Sequence, residues 1–251
     1  MNLSEISSET RLGRLLRLPF KLLPSGAVVR ILRGPARGKR WISDSTTRGF
    51  WLGYWELKNQ RLFAAALHPG DVVYDIGAHV GLYTLVSSIA VGENGHVFAF
   101  EPLPRNAFFL RRHISLNRIK NCTVVEAAVS NINGSRQFEP TSHDTAGHFS
   151  QSGAATVHTI ELDEFFRSAQ GRRPNAMKIN AEGAELEVLQ GAKQLLHDSS
   201  PLIFLSLHSE EMAQACNDLL TSMGYSVKFL AADKIWAVNP NKHGSRAYDG
   251  S

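Results

Sequence analysis

Residues 71–81 read Asp71-Val72-Val73-Tyr74-Asp75-Ile76-Gly77-Ala78-His79-Val80-Gly81. Val72, Val73, Tyr74 and Ile76 form an almost unbroken apolar run, which suits a strand buried on both faces. Glycines follow at once, and residues from about Val80 to Val91 read as a helix. A strand that passes through a glycine loop into a helix is the opening unit of an open α/β sheet. Ligands of such sheets bind where the loops leave the carboxyl ends of the strands. Glycine there permits unusual torsions and close approach of the backbone to a ligand.

Downstream the alternation continues. HVFAFE reads as a second strand, and Pro104 opens a helix towards Asn117. CTVVEAAV reads as a third strand, and residues 131–158 as loops with short strands. LDEFFR is a brief helix, AMKIN the fourth strand and AELEVLQGAKQLL the helix after it. PLIFLSLH is the fifth strand, EMAQACNDLLTSM its helix, and YSVKFL with KIWAVN a closing pair. Strands alternating with helices predict an α/β fold, a mostly parallel seven-stranded sheet with helices on both faces.

Upstream, TRLGRLLRLPFKLL (residues 10–23) suggests a short amphipathic helix stopped near Pro19. AVVRILRGPARGKRWI suggests two short strands around a Gly34–Gly38 turn, and YWELKNQRLFAAAL a helix ending before His68-Pro69-Gly70. The expected organisation is a basic N-terminal extension over 1–53, a ligand-binding α/β domain over 54–240, and a disordered tail over 241–251.

The 251 residues are 43% hydrophobic and 20% charged, an ordinary globular composition. No apolar run approaches the roughly 18 residues of a membrane span, and no secretory leader is visible. Cys122 and Cys216 read as small core or boundary residues, as in reduced proteins, so a cytoplasmic location is expected. The formal charge is +4, unevenly spread. Residues 1–48 hold ten Lys or Arg against three Asp or Glu, a net of +7 that leaves −3 for the remainder. That leader reads either as a solvated segment or as one drawn to an anionic substrate, nucleic acid or membrane surface.

Two strand ends carry the ligand signal. Only Gly77 and Gly81 are present after the first strand, so the phosphate cradle of G-x-G-x-x-G is missing. A ligand without phosphates is implied, such as a sulfonium amino acid joined to adenosine, with Asp75 at the strand end. Glu101, at the end of the second strand, can accept hydrogen bonds from both hydroxyls of a ribose. It stands 26 positions after Asp75, about one strand–helix–strand unit. S-adenosylmethionine is therefore the expected cofactor.

GDVVYDIGAHVGLYTL, VFAFEPLPRNAFFLRRHISLN, VVEAAVS and MKINAEGAELEVLQGA resemble the FkbM-type methyltransferase family, with GPARGKRWI and WLGYWELKNQRLF as its lead-in. The resemblance spans roughly residues 31–230. It implies a Rossmann-like class I methyltransferase fold and O-methylation of a small molecule or sugar. It also implies that Asp75, Gly77, Ala78, Gly81 and Thr84 serve the first cofactor loop. Glu101 would hold the ribose, with Pro102 and Asn106 shaping that end, and Glu126 and Ala127 would flank the adenine. The loop from Lys178 through Asn180 to Gly183 would face the transferable methyl group. Two positions depart from the family: His79 stands for Asn, and Asn180 for Asp. The second loses a charge beside the cationic cofactor, which predicts weakened binding or turnover.

Methyl transfer is an in-line displacement that positioning alone accelerates, and an alcohol acceptor benefits from a base. His208, at the end of the fifth strand, and Glu182 are the candidate bases, with Asn180 beside them; each could instead serve as a helix cap. His143, Asp144 and His148 have metal-ligand chemistry but complete no recognisable set, so no metal is expected, and residues 142–148 read as a substrate-facing lid or as an uninvolved surface loop. Trp51, Tyr54, Trp55 and Glu56 read as docking aromatics, with stacking on a substrate as the alternative. A small-molecule or saccharide acceptor is expected, a homodimer is admitted, and nucleic acid is not expected: the Asn-Pro-Pro-aromatic and Pro-Cys signatures of nucleic-acid methylation are missing. A degenerate cofactor binder, motivated by Asn180, is the other alternative.

Overall fold

A computed structural model describes residues 23–140, 147–150, 153, 155–168 and 172–241. Most of the proposed leader helix, the loop residues His143 and Asp144, and nearly all of the proposed tail lie outside these residues.

The segment that opens the α/β pattern folds as expected. Strand β3 (Val72–Ile76) is buried along its whole length and runs through Gly77–Gly81 into helix α3 (Leu82–Val91). The next units are β4 (His96–Phe100), α4 (Pro104–Leu116) and β5 (Cys122–Val125). The second half supplies β10 (Ala176–Ile179), β11 (Leu202–Ser206), α8 (Glu210–Ser222), β12 (Ser226–Ala231) and β13 (Lys234–Val238). Together they form a seven-stranded sheet in the order β12-β13-β11-β10-β3-β4-β5. Every neighbour pair from β11 to β5 is parallel, while β13 runs antiparallel to both β11 and β12. This is the α/β class I methyltransferase arrangement. Its chain order reverses between β3 and β10, which opens a crevice where Ile76 and Ile179 end paired in register.

Apolar faces on both sides of the sheet explain its stability. One buried cluster joins Tyr74, Ile76, Phe98, Phe100, Met177, Ile203 and Leu205 to the helices on one face. Another joins Val73, Val97, Phe204 and Trp236 to Phe63 and Tyr83 on the other. Side chains on a parallel strand alternate between two covered faces, so both must be apolar.

The N-terminal strands β1 (Val28–Arg30) and β2 (Arg40–Ile42) form an antiparallel hairpin, followed by α1 (Arg48–Leu52) and α2 (Leu57–Ala65). Ile31, Trp41, Phe50 and Trp51 share a buried cluster with Val80, Leu82, Leu85 and Val86, so the lead-in packs directly on the first cofactor unit. His113 of α4 ties them together. Its Nδ1 lies 2.8 Å from the Val80 carbonyl, its Nε2 accepts the Ile42 N–H at 3.0 Å, and its ring stacks on Trp41.

Two expectations need correction. CTVVEAAV is not one strand: β5 ends at Val125, and Ala128–Val129 (β6) leaves for a second sheet. That sheet, ordered β6-β9-β7-β8, also takes β7 (Gly134–Pro140), β8 (Gly147–Phe149) and β9 (Ala155–Ile160), so the short strands read among the loops of 131–158 pair into a sheet of their own. The helix read over 184–196 is two helices, α6 (Glu185–Gln190) and α7 (Lys193–Ser199). Between them Gly191 approaches the Ser130 carbonyl so closely that a β-carbon would lie 2.1 Å from its oxygen. Asp163, in α5 (Leu162–Arg167), accepts the N–H groups of Gln194 and Leu195, so the second helix has its own N-terminal partner.

Candidate active site

A cavity of about 330 Å³ opens over the crevice at the carboxyl ends of β3, β4, β10 and β11. That volume is in the range of small-ligand and cofactor sites. Its floor is the first glycine loop. Gly77 has φ +69°, and a β-carbon there would lie 1.9 Å from the Asn180 carbonyl oxygen. Gly81, at φ +98°, is pressed from behind by Leu110, 2.4 Å from where its β-carbon would be. Both positions therefore require glycine, for torsion and for space. His79, at φ +53°, holds a left-handed conformation with a side chain attached.

Glu101 is the best-defined polar group of the wall. It is 4% exposed, and it accepts N–H groups from His79 at 2.8 Å, from Leu103 at 3.0 Å and from the Asn106 amide at 3.1 Å. Burial pushes its carboxyl up to about 7, against these three donors, which favour the anion. Beyond it the wall is apolar: Leu103, Ala127, Ala128, Phe138 and Phe149, the last three supplied by the second sheet. A carboxylate beside an apolar slot suits a ribose diol and a planar base, so the residues fit an adenosine-bearing cofactor.

The other half of the cavity is polar. Lys178 is an ammonium inside an otherwise apolar strand; its Nζ donates to the Gly77 carbonyl at 2.9 Å and sits 3.4 Å from Asp75 Oδ1. Asp75 is fully buried, bonded by Thr84 Oγ1 at 2.6 Å, and its Oδ1 has no hydrogen-bond partner. Glu56 reaches in from the lead-in with φ +46°, accepting the Tyr83 hydroxyl at 2.9 Å and lying 3.4 Å from Lys234 Nζ. Burial, more than the nearby Glu56 charge, pushes the Tyr83 phenol well above its ordinary range.

The β10 loop carries a second acidic arrangement. Buried Glu185 accepts the N–H groups of Ala181 at 2.9 Å and Gly183 at 3.2 Å, and binds His208 Nδ1 at 2.9 Å. His208 Nε2 lies 3.4 Å from Glu182 Oε2. The hydrogen bond to Glu185 leads the effects that raise His208 above its ordinary pKa. Burial pulls Glu185 up, but His208 and the N–H donors outweigh it and hold the carboxyl low. Glu182 sits at φ +49° and lines the cavity.

The residues expected from sequence thus fall into three groups. Gly77, Ala78, Glu101, Pro102, Asn106, Ala127, Asn180 and Glu182 line the cavity. Asp75, Gly81 and Thr84 lie behind that lining and shape the loop from below. Glu126 and His208 depart from expectation. Glu126 does not flank the cavity: the chain turns after Val125, and its carboxylate goes outward to Arg111. His208 is not part of the cavity lining: its Nδ1 binds Glu185 and its Nε2 lies 3.4 Å from Glu182. Of the aromatics, Phe50 and Trp51 are buried as docking residues, whereas Trp55 is exposed and lines the cavity beside Phe50, 4.9 Å between ring centres. Sequence reasoning named Lys178 only as the start of the β10 loop and missed Glu185, although a lysine in a buried strand is a signal in itself.

The profile of the Methyltransferase FkbM domain matches residues 75–227. The hexuronic acid methyltransferase AglP of Haloferax volcanii is 30% identical over 152 residues, 59% of this chain and 61% of that protein. The chain therefore spans about three fifths of that relative's length. Among solved structures, Methyltransferase FkbM from Methylobacillus flagellatus KT is 16% identical, covering 76% of this chain and 53% of its own, with a TM-score of 0.49. An S-adenosylmethionine-dependent O-methyltransferase from Thermotoga maritima is 12% identical, covering 86% and 78%, with a TM-score of 0.49. The profile match covers more than half of the chain, and this protein is a member of the FkbM methyltransferase family, with S-adenosylmethionine as its cofactor.

Proposed function

We propose that the enzyme transfers a methyl group to a hydroxyl of a saccharide. The observation that carries this reading is the pair of carboxylates, Glu56 and Glu182, in the polar half of the cavity, away from the apolar slot. Carboxylates bind sugar hydroxyls as acceptors, and one of them can take the proton that the hydroxyl loses. The hexuronic acid methyltransferase among the relatives supports a saccharide.

In this reading Glu101 binds the ribose hydroxyls, Pro102 and Asn106 shape that end, and Ala127 with Phe138 encloses the base. Bound S-adenosylmethionine supplies an electrophilic methyl carbon next to a cationic sulfur. Lys178 and Asn180 tie the β10 loop to the β3 loop, through the carbonyls of Gly77 and Ile76. Glu182 accepts the proton of the attacking hydroxyl, while Glu185 and His208 fix the loop that presents it. His208 is a positioning residue, since it touches Glu182 and not the cavity. Within the extension over 1–53, the hairpin and α1 pack on the domain over 54–240. The acceptor is met in the cytoplasm and is not a nucleic acid.

The test is transfer of tritiated methyl from S-adenosylmethionine to a panel of hexoses and hexuronic acids. Label in an alkali-stable ether, lost in Glu182→Gln, supports the reading. Label in an alkali-labile ester would move the acceptor atom to a carboxylate, and none on any saccharide would overturn the substrate class. A second reading, favoured by Asn180, is a binder without turnover; tight cofactor binding with no transfer to any acceptor would select it.

A further inference from the structure

Two segments far apart in sequence meet at one corner of the molecule. The hairpin region, residues 28–43, and helix α4 with its following turn, residues 104–121, each carry five Lys or Arg and no Asp or Glu. The whole chain has a formal charge of +4, so everything outside these ten cations is net −6. The two segments are fastened together. The Arg40 N–H donates to Asn117 Oδ1 at 2.7 Å, Asn117 Nδ2 donates to the Arg40 carbonyl at 2.8 Å, and Trp41 stacks on His113 at 3.9 Å. Among the described residues only Arg111 of the ten pairs with a carboxylate, that of Glu126. None of the ten lines the cavity.

Charge alone would be a solvated face. The apolar residues decide against that. Phe108, Leu32 and Val28 are the three most exposed large apolar side chains among the described residues, at 53%, 52% and 51%. All three stand within these two segments. Val28 and Arg30 alternate along β1 and so share its outer face, with Leu32 two residues further on. On α4, Phe108 and Arg112 are one turn apart and the guanidinium lies over the ring. Cations interleaved with protruding aliphatic and aromatic groups are the chemistry of a lipid interface: the charges meet anionic headgroups and the apolar tips enter the acyl boundary. A phosphate backbone would be served by the cations and would gain nothing from Val28 and Leu32.

We propose that this corner docks the enzyme onto an anionic lipid surface, as a peripheral protein. The corner lies outside the cofactor cavity, so docking and cofactor binding are separable. The test is co-sedimentation of the full chain with vesicles of phosphatidylcholine alone and of equal parts phosphatidylcholine and phosphatidylglycerol. The expected result is retention on the mixed vesicles only. Arg37→Glu with Lys39→Glu, and separately Arg112→Glu with Lys120→Glu, should each weaken it by about tenfold or more. Leu32→Ser with Phe108→Ser should weaken it even in salt that screens the charges. Unchanged affinity for S-adenosylhomocysteine verifies that each variant is folded. Equal retention on both vesicles, no retention, or charge reversals without effect would overturn the proposal. So would an unaffected Leu32→Ser/Phe108→Ser pair in a protein that prefers duplex DNA to mixed vesicles.

Discussion

The carbonyl oxygen of Asn180 occupies the space that a side chain on Gly77 would need, 1.9 Å from the position of its β-carbon. The two loops that leave β3 and β10 are thus in contact across the crevice, and the floor of the cavity depends on their fit. Gly77→Ala should displace one loop from the other and force a left-handed torsion on alanine. We expect a loss of about 1–3 kcal/mol in stability, read by denaturant unfolding, and loss of cofactor binding in calorimetry.

Glu101 is held by three N–H donors while burial pushes its carboxyl up to about 7. Ribose hydroxyls donate best to the anion, so cofactor affinity should rise with pH through that value. Below it the carboxyl must first give up a proton, at a cost of up to about tenfold in affinity per pH unit. Titration at pH 6 and pH 8 measures this. Glu101→Gln should bind weakly and without that slope; a slope that persists would assign it to another group.

Asn180 stands where the family resemblance implies an acid, and it lines the cavity two residues after Lys178 of the Lys178–Asp75 pair. Asn180→Asp should tighten binding of S-adenosylmethionine more than that of the uncharged S-adenosylhomocysteine. Lower affinity together with lower turnover would show that the amide is adapted to this chain.

Neutral His113 is committed on both nitrogens, to the Val80 carbonyl and the Ile42 N–H. Burial lowers its pKa to about 4, below the ordinary value of 6.5. The unfolded chain therefore binds more protons between these values, and stability should fall as pH drops from about 6.5 towards 4. Unfolding curves on wild type and His113→Asn should show that the variant is less stable at pH 7 and loses less on acidification.

The part of this architecture that sequence makes legible is the part encoded locally. DVVYDIGAHVG declares a buried strand and its loop because an apolar run and two glycines are adjacent in the chain, and Glu101 follows at the next strand end. Short strands were legible over 131–158 but their sheet was not, since they carry no unbroken apolar run and β6 finds β9 across 31 positions, Ala128 with Thr159. The break at Gly191 depends on a carbonyl sixty residues away. Glu126 and His208 sit at strand ends as expected, yet the direction of a side chain after a strand end depends on the turn that follows. Glu56 was met only as a neighbour of aromatics, because its partners Tyr83 and Lys234 come from distant elements.

Calorimetric titration of S-adenosylhomocysteine into wild type and Glu101→Ala tests the central claim most directly. The account predicts micromolar binding by the wild type, lost in a variant that still unfolds cooperatively. Equal affinity in the two proteins would contradict it, since the cavity wall built around Glu101 would then not be where the cofactor's ribose is held.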